Sequence, residues 1–200
     1  IAGALAMDTS GPNQWYVNIA TGDTLNDGLT AGTPKKYISN IAPGTLRAFG
    51  QSLLTVGDTV NVAAGCYAET VALDTDSAWL LGTGENCRLL QSPGIPGAVL
   101  ALLADGLTVT NLLVGGGEYG IRADTADYAR ISDVRVDSST MAGVRVSGST
   151  GVVLSDVRLD SHQLIGIALF SGAAATVSSC SVHRTGSMGI RVMTDSNTFM

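Results

Sequence analysis

The phrase ISDVRVDSSTMAGVRV at residues 131–146 returns at residues 154–169 as LSDVRLDSHQLIGIAL. Its first six positions have further copies at residues 109–114 and 177–182. Its glycine recurs every 23 residues, and an apolar–any–apolar triplet follows each copy: Gly120, Gly143, Gly166 and Gly189. A fixed period of this kind is typical of a protein built by stacking one structural unit.

The spacing of apolar residues within one repeat predicts strands separated by a bend. Val144 and Val146 alternate with Arg145, which places Arg145 on the outer face of a strand. Ile131 lies three residues before Val134, and an odd offset cannot keep both side chains on one face of a flat strand. The chain must therefore bend between them. The bend position is filled by residue types that tolerate left-handed backbone or bond their own main chain: Asn111, Asp133, Asp156 and Ser179.

The second copy is predicted to hold three short strands, at about residues 129–132, 134–136 and 143–146, and no helix. Three strands per 23 residues make one coil of a solenoid, whose successive coils stack at roughly 4.8 Å. Parallel crossovers are overwhelmingly right-handed. The predicted fold class is therefore all-β, a right-handed parallel β-helix solenoid with 23-residue coils and a short N-terminal capping α-helix.

The inward aliphatic stacks and the Asn-type turn ladder resemble the pectate lyase-like right-handed β-helix superfamily. Residues 15–71 are similar to the opening segment of many secreted and phage-borne members of that superfamily. The matching phrases are WYVNIATGDTLNDG (15–28), TPKKYISN (33–40), VGDTVNVAAGCYAETV (56–71) and LLGTG (80–84). This likeness concerns the fold and does not specify an activity.

Two domains are predicted on this basis. Residues 1–58 form the N-terminal segment, in which Pro43 precedes a short amphipathic helix that carries Leu46, Phe49, Leu53 and Leu54 and lies across the first coil. Residues 59–200 form the β-helix, which we expect to continue beyond residue 200 in a longer protein.

Composition argues against several classes of partner. The formal charge is −6, and Lys35 and Lys36 are the only lysines. Nucleic-acid backbones and anionic membranes need clustered basic residues, so neither is an expected partner. No apolar run is long enough to suggest membrane insertion. The three cysteines show no CxxC pair and are expected to be small buried hydrophobic residues: Cys66, Cys87 and Cys180.

The resemblance implies a carbohydrate groove on the strand that follows each repeat glycine, with the loop before it as a wall. By position, the outward ladder of that strand is Arg122, Arg145, Ala168 and Arg191, and the wall contributes Glu118, Asp137, Asp160, His162 and His183. Arg side chains bind carboxylates in a bidentate manner, so this face could bind an acidic glycan. The alternative is a solvated face on which the arginines pair with Asp137 and Asp160. Tyr119 is the aromatic residue best placed to stack on a sugar.

Other chemistries have weaker support, and no catalytic or metal-binding residue is assigned. Asp133 and Asp156 have the spacing of a retaining glycosidase pair, but the turn ladder already explains them. The loop of residues 22–28 has oxygen ligands but lacks the acidic residue that closes an EF-hand, so a turn is the simpler interpretation, and calcium is the one cofactor left open. His162 and His183 are offset by two ladder positions and would not share a metal.

The favoured function is a structural or adhesive β-helix on a virion surface, such as a phage tailspike, fibre or head-decoration protein. We expect a homotrimer or contacts with other virion proteins, with a cell-surface polysaccharide as a further ligand. A bacterial surface adhesin is a weaker option of the same kind. The alternative is a secreted polysaccharide lyase or glycoside hydrolase acting on an acidic glycan, in which Arg145 could serve as a base. The expected location is the virion surface or the extracellular space.

Overall fold

The computed structural model describes residues 12–42 and 52–193. In this part of the chain the only helix is a short 3-10 turn at Ile38–Asn40. The strands are β1 (Gln14–Val17), β2 (Thr59–Val62), β3 (Gly65–Tyr67), β4 (Val71–Leu73), β5 (Trp79–Leu81), β6 (Cys87–Leu102), β7 (Thr108–Asp124), β8 (Arg130–Asp137), β9 (Ala142–Ser147), β10 (Val152–Ser155), β11 (Arg158–Asp160), β12 (Ile165–Phe170), β13 (Ala175–Ser178), β14 (Ser181–His183) and β15 (Met188–Val192).

All strand pairs are parallel, and they form three faces of one coiled structure. The first sheet runs in the order β1-β2-β5-β7-β8-β10-β13. The second sheet contains β3, the start of β6, the middle of β7, the end of β8, β11 and β14. The third sheet contains β4, the ends of β6 and β7, β9, β12 and β15. Because each coil contributes to all three sheets in turn, the predicted parallel β-helix is confirmed.

The core consists of apolar ladders that run from coil to coil. Val144 pairs with Ile121 below it and with Ile167 above it, and Ile167 pairs with Ile190. Each pair is 23 residues apart, as the repeat predicts. Ile121, Val144 and Ile167 are fully buried, whereas Ile190 in the last described coil is 52% exposed. Within the described residues, each apolar side chain of this stack is therefore covered by its neighbours except Ile190, which has no described coil above it.

The predicted bend lies where the sequence places it. Asn111, Asp133, Asp156 and Ser179 all have a positive φ, between 52° and 58°. The strands predicted at residues 129–132 and 134–136 are, however, a single strand, β8, that bends at Asp133, and its pairing with β7 is interrupted only at that residue. In the next coil the same bend does separate two strands, β10 and β11.

The recurring glycines are explained by a close approach between sheets. A Cβ atom at Gly120 would lie 2.3 Å from Val136, and one at Gly166 would lie 2.4 Å from Val182. At Gly143 it would lie 2.6 Å from both Leu159 and His162. In each case the obstacle is a residue of the following coil. The backbone at the start of these strands of the third sheet therefore packs against side chains of the following coil, and only glycine fits at that position.

A second row of left-handed turns links the coils between the end of the third sheet and the start of the first sheet. Here the carboxylate of Asp76 accepts the backbone N–H of Asp105, and that of Asp105 accepts the N–H of Asp127. Asp127 in turn bonds the backbone and hydroxyl of Thr150. These contacts link successive coils and satisfy backbone donors at a corner where no strand partner is available.

The N-terminal strand is already part of the solenoid, because β1 pairs with β2. The predicted capping helix falls mainly on residues 43–51, outside the described residues, and Leu53 and Leu54 are not helical. The domain boundary at residue 58 stays a prediction. No helix in the described ranges is long and apolar enough to cross a membrane.

The cysteines are less uniform than the prediction that all three are buried. Cys87 is buried, and burial raises the pKa of its thiol to about 11. Cys66 is exposed and Cys180 is partly exposed. Cys66 pairs in register with Arg88, an exposed residue on the outer face of the second sheet, which explains its exposure.

Candidate functional site

The arginine ladder predicted from the sequence forms on the outer surface of the third sheet. Arg122 pairs in register with Arg145, Arg145 with Ala168, and Ala168 with Arg191. We call this surface, together with the neighbouring side chains of Tyr119, Asp124 and Phe170, the arginine face. The side chains of Arg122 and Arg145 are 31% and 24% exposed, so both reach solvent while resting on the sheet.

Arg145 lies between two aromatic rings from different coils. Its guanidinium carbon is 5.5 Å from the ring centre of Tyr119, one coil below, and 5.6 Å from that of Phe170, one coil above. Cations within about 6 Å of an aromatic ring centre are attracted by its quadrupole. Tyr119 and Phe170 are both partly exposed. The rings therefore hold Arg145 in place and leave apolar surface open to a ligand.

Asp124 is the carboxylate that joins the two lower arginines. Its Oδ2 atom lies 2.9 Å from Nε of Arg122 and 3.2 Å from Nη1 of Arg145. The Arg122 contact lacks the alignment of a hydrogen bond, and the other oxygen of Asp124 is buried without a partner among the described residues. The like charges of Arg122 and Arg145, which stand on neighbouring strands of the ladder, are thus bridged by one negative group.

This arrangement corrects the predicted pairing of the ladder with Asp137 and Asp160. Both of these residues belong to the second sheet, on the far side of the turn that precedes the third sheet. Asp137 accepts hydrogen bonds from Arg135, at 2.9 and 3.1 Å. Asp160 pairs with Arg184, whose hydrogen bonds lower the pKa of the Asp160 carboxyl. The two carboxylates therefore lie away from the arginine face.

The upper part of the arginine face is less filled. Ala168, which the ladder places outward, is only 1% exposed because Ala142 and Ile165 pack beside it and Tyr119 and Phe170 pack against the group. Ala168 therefore lies in the outward ladder in register with Arg145, as the repeat predicts, but neighbouring side chains cover it.

Arg191 stands one coil above Ala168 and is partly exposed. It forms no ion pair with any other described residue. Among the described residues, the face therefore carries three arginines against one carboxylate, Asp124.

The predicted wall residues have separate environments. The carboxylate of Glu118 accepts the backbone N–H of Gly97 at 3.0 Å. His183 is exposed at the end of β14. His162 is 2% exposed and therefore lies inside the coil, which corrects its placement on the groove wall. The ring occupies the space that the missing side chain of Gly143 leaves free.

The loop of residues 22–28 and the two tryptophans lie outside the arginine face. Asp23 and Asp27 bond the backbone N–H groups of Leu25 and Leu29, so the loop of residues 22–28 uses these carboxylates to shape its turns. Trp15 is buried and donates its indole N–H to Asp58 at 2.8 Å. Trp79 is 46% exposed but belongs to the first sheet, away from the arginine face.

The arginine face suits binding better than catalysis. Acid–base hydrolysis of a glycoside needs two carboxyl groups that flank the bond. Of the described residues on this face only Asp124 has a carboxyl group, and both lower arginines engage it. The face thus offers fixed cations and aromatic rings, which are groups that bind a ligand and orient it.

Two members of the face, Asp124 and Phe170, were missed in the sequence. Each lies two residues after a ladder position, so strand parity places both on the same outer surface as Arg122 and Ala168. Strand parity alone therefore predicts that both side chains lie on this surface. Which arginines Asp124 would pair with depends on the register between coils, and the repeat had already indicated that register.

Comparison with known proteins agrees with this architecture. A family model described as the right handed beta helix region matches residues 98–200. The chain belongs to this family. No curated protein matches the right-handed β-helix chain.

Solved structures share the fold of this β-helix protein. One is a pectin methylesterase variant in complex with a hexasaccharide, at 13% identity and a TM-score of 0.56, covering 81% of this chain and 56% of that one. Another is a lacto-N-biosidase from Eubacterium ramulus, at 12% identity and a TM-score of 0.51, covering 78% of this chain and 43% of that one. The β-helix protein thus spans about half the length of these structures.

Proposed function

We propose that this protein is a non-catalytic, glycan-binding β-helix whose arginine face binds an acidic polysaccharide. The observation that carries the proposal is the guanidinium of Arg145 held between the rings of Tyr119 and Phe170. A cation with a fixed orientation can bind a sugar carboxylate in a bidentate manner, and the ring surfaces beside it can pack against the sugar. Fold similarity to a pectin methylesterase solved with a hexasaccharide is consistent with this proposal and shows only the fold.

Local charge supports an anionic ligand. The whole chain has a formal charge of −6, whereas the described residues of the arginine face include three arginines and one carboxylate. A positive surface on an acidic protein attracts anions locally while the remaining surface repels them. The Arg145 side chain is partly exposed and Arg191 forms no ion pair with another described residue, so a carboxylate can approach both from solvent.

The direct test is binding of acidic polysaccharides, such as polygalacturonate, alginate and hyaluronan, by affinity electrophoresis and calorimetry. We expect Arg145→Ala to weaken binding at least ten-fold, and Arg145→Lys to recover only part of it because the bidentate contact is lost. Arg88→Ala is the matched control, since Arg88 is an exposed arginine on the second sheet. Absence of binding to every probe, or equal loss in the Arg145 and Arg88 variants, contradicts the proposal.

The biological setting that we propose is a virion surface, as in a phage tailspike, fibre or head-decoration protein, with assembly as a homotrimer. Its support is the resemblance of residues 15–71 to the opening segment of phage-borne and secreted β-helices. Stacked coils resist proteolysis, which suits a protein exposed on a particle. Light scattering of the full-length protein tests the assembly, and a stable monomer would count against it.

The alternative is a secreted polysaccharide lyase or glycoside hydrolase. The residues of the arginine face offer less for this chemistry, because Asp124 is engaged by Arg122 and Arg145. A depolymerisation assay on the same acidic polysaccharides, with and without calcium, separates the two proposals. Product release that is lost in Arg145→Ala would favour the enzyme.

A further inference from the structure

A second surface of the molecule has the features of a ligand site. A cleft of about 320 Å³ lies beside the left-handed bend between the first and second sheets. We call it the turn cleft. Its polar lining residues are Glu85, Asn111, Asp133, Arg135, Asp156, Arg158, Ser179 and Ser181. It is separate from the arginine face, which belongs to the third sheet.

One wall of the turn cleft is a row of side chains at the bend. They occupy the same position in four successive coils, so neighbours in the row lie roughly 4.8 Å apart. All four are exposed, and no side-chain hydrogen bond or ion pair joins them to another described residue: Asn111, Asp133, Asp156 and Ser179. Their amide, carboxylate and hydroxyl groups are therefore open to a ligand that extends along the helix axis.

The arginines of the turn cleft, by contrast, already have partners. Arg135 donates to Asp137, a contact that raises the pKa of Arg135. The carboxylate of Glu85 reaches over from a loop of an earlier coil and lies 3.5 Å from Arg135 and 3.4 Å from Arg158. Glu85 thus bridges the two guanidinium groups, in the place where an anionic ligand would otherwise bind.

The charges around the turn cleft disfavour an ion of either sign. A further anion would meet Glu85 and the unpaired carboxylates of Asp133 and Asp156. A metal cation at Asp133 and Asp156 would lie beside Arg135 and Arg158, each of which follows its aspartate by two residues. An uncharged ligand avoids both penalties. A polyhydroxylated ligand can also hydrogen-bond to carboxylate, amide and hydroxyl groups at the same time.

The geometry points to a second saccharide site in the turn cleft, specific for an uncharged glycan whose chain runs along the row Asn111, Asp133, Asp156 and Ser179. The repeated spacing offers one polar side chain per coil to successive sugar units. This site is independent of the proposed function of the arginine face, and each site is tested by its own variants.

The experiment is affinity electrophoresis of the whole protein in gels that contain neutral polysaccharides: dextran, galactomannan, arabinoxylan and mixed-linkage β-glucan. At least one of them should retard the native protein. We expect the double variant D133G/D156G to be retarded less, with an affinity for that polysaccharide at least ten-fold weaker. Glycine accepts the positive φ of both positions, so the fold should be retained. Asp74→Gly is the matched control, because Asp74 is an exposed aspartate elsewhere on the molecule.

A second variant separates hydrogen bonding from charge. D133N/D156N keeps an oxygen acceptor and tolerates left-handed backbone, so saccharide binding should persist within a few-fold. Loss of binding in this variant, or calcium-dependent binding, would identify a cation site and overturn the proposal. So would the absence of retardation by every neutral probe, or retardation unchanged in D133G/D156G. Arg145→Ala should leave neutral-glycan binding intact, whether or not the arginine face binds acidic glycans.

Discussion

The Nδ1 atom of His162 accepts the backbone N–H of Ser139, one coil below, at 3.2 Å. A ring nitrogen that accepts a hydrogen bond carries no proton, so His162 is neutral and its proton is on Nε2. That nitrogen is buried and has no hydrogen-bond partner among the described residues. The relationship ties two coils together through one neutral imidazole, and burial lowers the pKa of His162.

Mild acid should therefore destabilise the protein through His162. The folded state takes up a proton less readily than the unfolded state, whose histidine has a pKa of about 6.5. Stability contributed by neutral His162 is complete above that value and falls as the pH drops below it, by up to about 1.4 kcal/mol at pH 5.5. Urea unfolding at pH 7.5 and 5.5 measures this difference.

Two variants identify the source of this pH dependence. His162→Gln should flatten it, whereas His183→Gln should retain it because His183 is exposed. The carboxylates whose pKa values are lowered in the fold, such as Asp58 and Asp160, contribute stability that is lost only as the pH falls below about 4, outside the measured window. An unchanged free energy of unfolding between the two pH values would refute the prediction.

A methyl group at Gly143 should destabilise the coil. An added Cβ would lie 2.6 Å from His162 Nε2 and from Leu159 Cδ2, both inside the packed core. Overpacking of this kind costs about 1–3 kcal/mol. Gly143→Ala should lower the free energy of unfolding by that amount, measured by urea denaturation.

Gly32→Ala is the control for this experiment. A Cβ at Gly32 would make a single ordinary contact, at 3.7 Å from Thr30. Equal stabilities of the two variants would show that the repeat glycine is not required for packing.

The regular coils could be predicted because identical positions recur and each position has one environment. Val144, Ile167 and the bend at Asp133 repeat in kind and spacing, so parity and period alone locate them. The row of hydrogen-bonded aspartates formed by Asp76, Asp105 and Asp127 was not predicted. Its members are 29 and 22 residues apart, and no regular phrase surrounds the first of them.

The contacts of single side chains were harder to predict than the coil. Asp137 was assigned to the wall beside the arginine ladder, but it lies on the second sheet before the turn, where Arg135 is two residues away on the same outer surface. His162 was assigned to the wall, yet the space above Gly143 accepts its ring. Glu85 reaches Arg135 and Arg158 from an irregular loop, and no period in the sequence connects these residues.

Loss of the Asp58 carboxylate should release the N-terminal strand. Asp58 is fully buried and accepts hydrogen bonds from the indole of Trp15, at 2.8 Å, and from the backbone and hydroxyl of Thr55, at 2.9 Å each. Burial alone would raise its pKa, but these donors outweigh burial and lower it.

Asp58→Ala leaves several donors without a partner and should cost about 3 kcal/mol. The measurements are the free energy of unfolding and the fluorescence of Trp15, which should shift towards that of an exposed indole. Asp74→Ala, which removes an exposed carboxylate, should change neither signal. Full stability of Asp58→Ala would contradict the role given to this carboxylate.

Asp124 should compete with an acidic ligand for the guanidinium of Arg145. Its Oδ2 atom lies 3.2 Å from Arg145 Nη1 and 2.9 Å from Arg122 Nε, so it occupies the position of a bound carboxylate. Asp124→Asn removes the negative charge and keeps the shape of the side chain. We therefore expect Asp124→Asn to bind acidic polysaccharide several-fold more tightly, with a steeper dependence on salt concentration.

Asp137→Asn is the matched control, because it removes a carboxylate that pairs with Arg135 on the second sheet. It should leave the affinity for acidic polysaccharide unchanged when measured by calorimetry at two salt concentrations. If Asp124→Asn binds more weakly than the native protein, Asp124 positions Arg145 for the ligand, and the idea that the two carboxylates compete is wrong. Because the two roles predict opposite signs, one measurement decides between them.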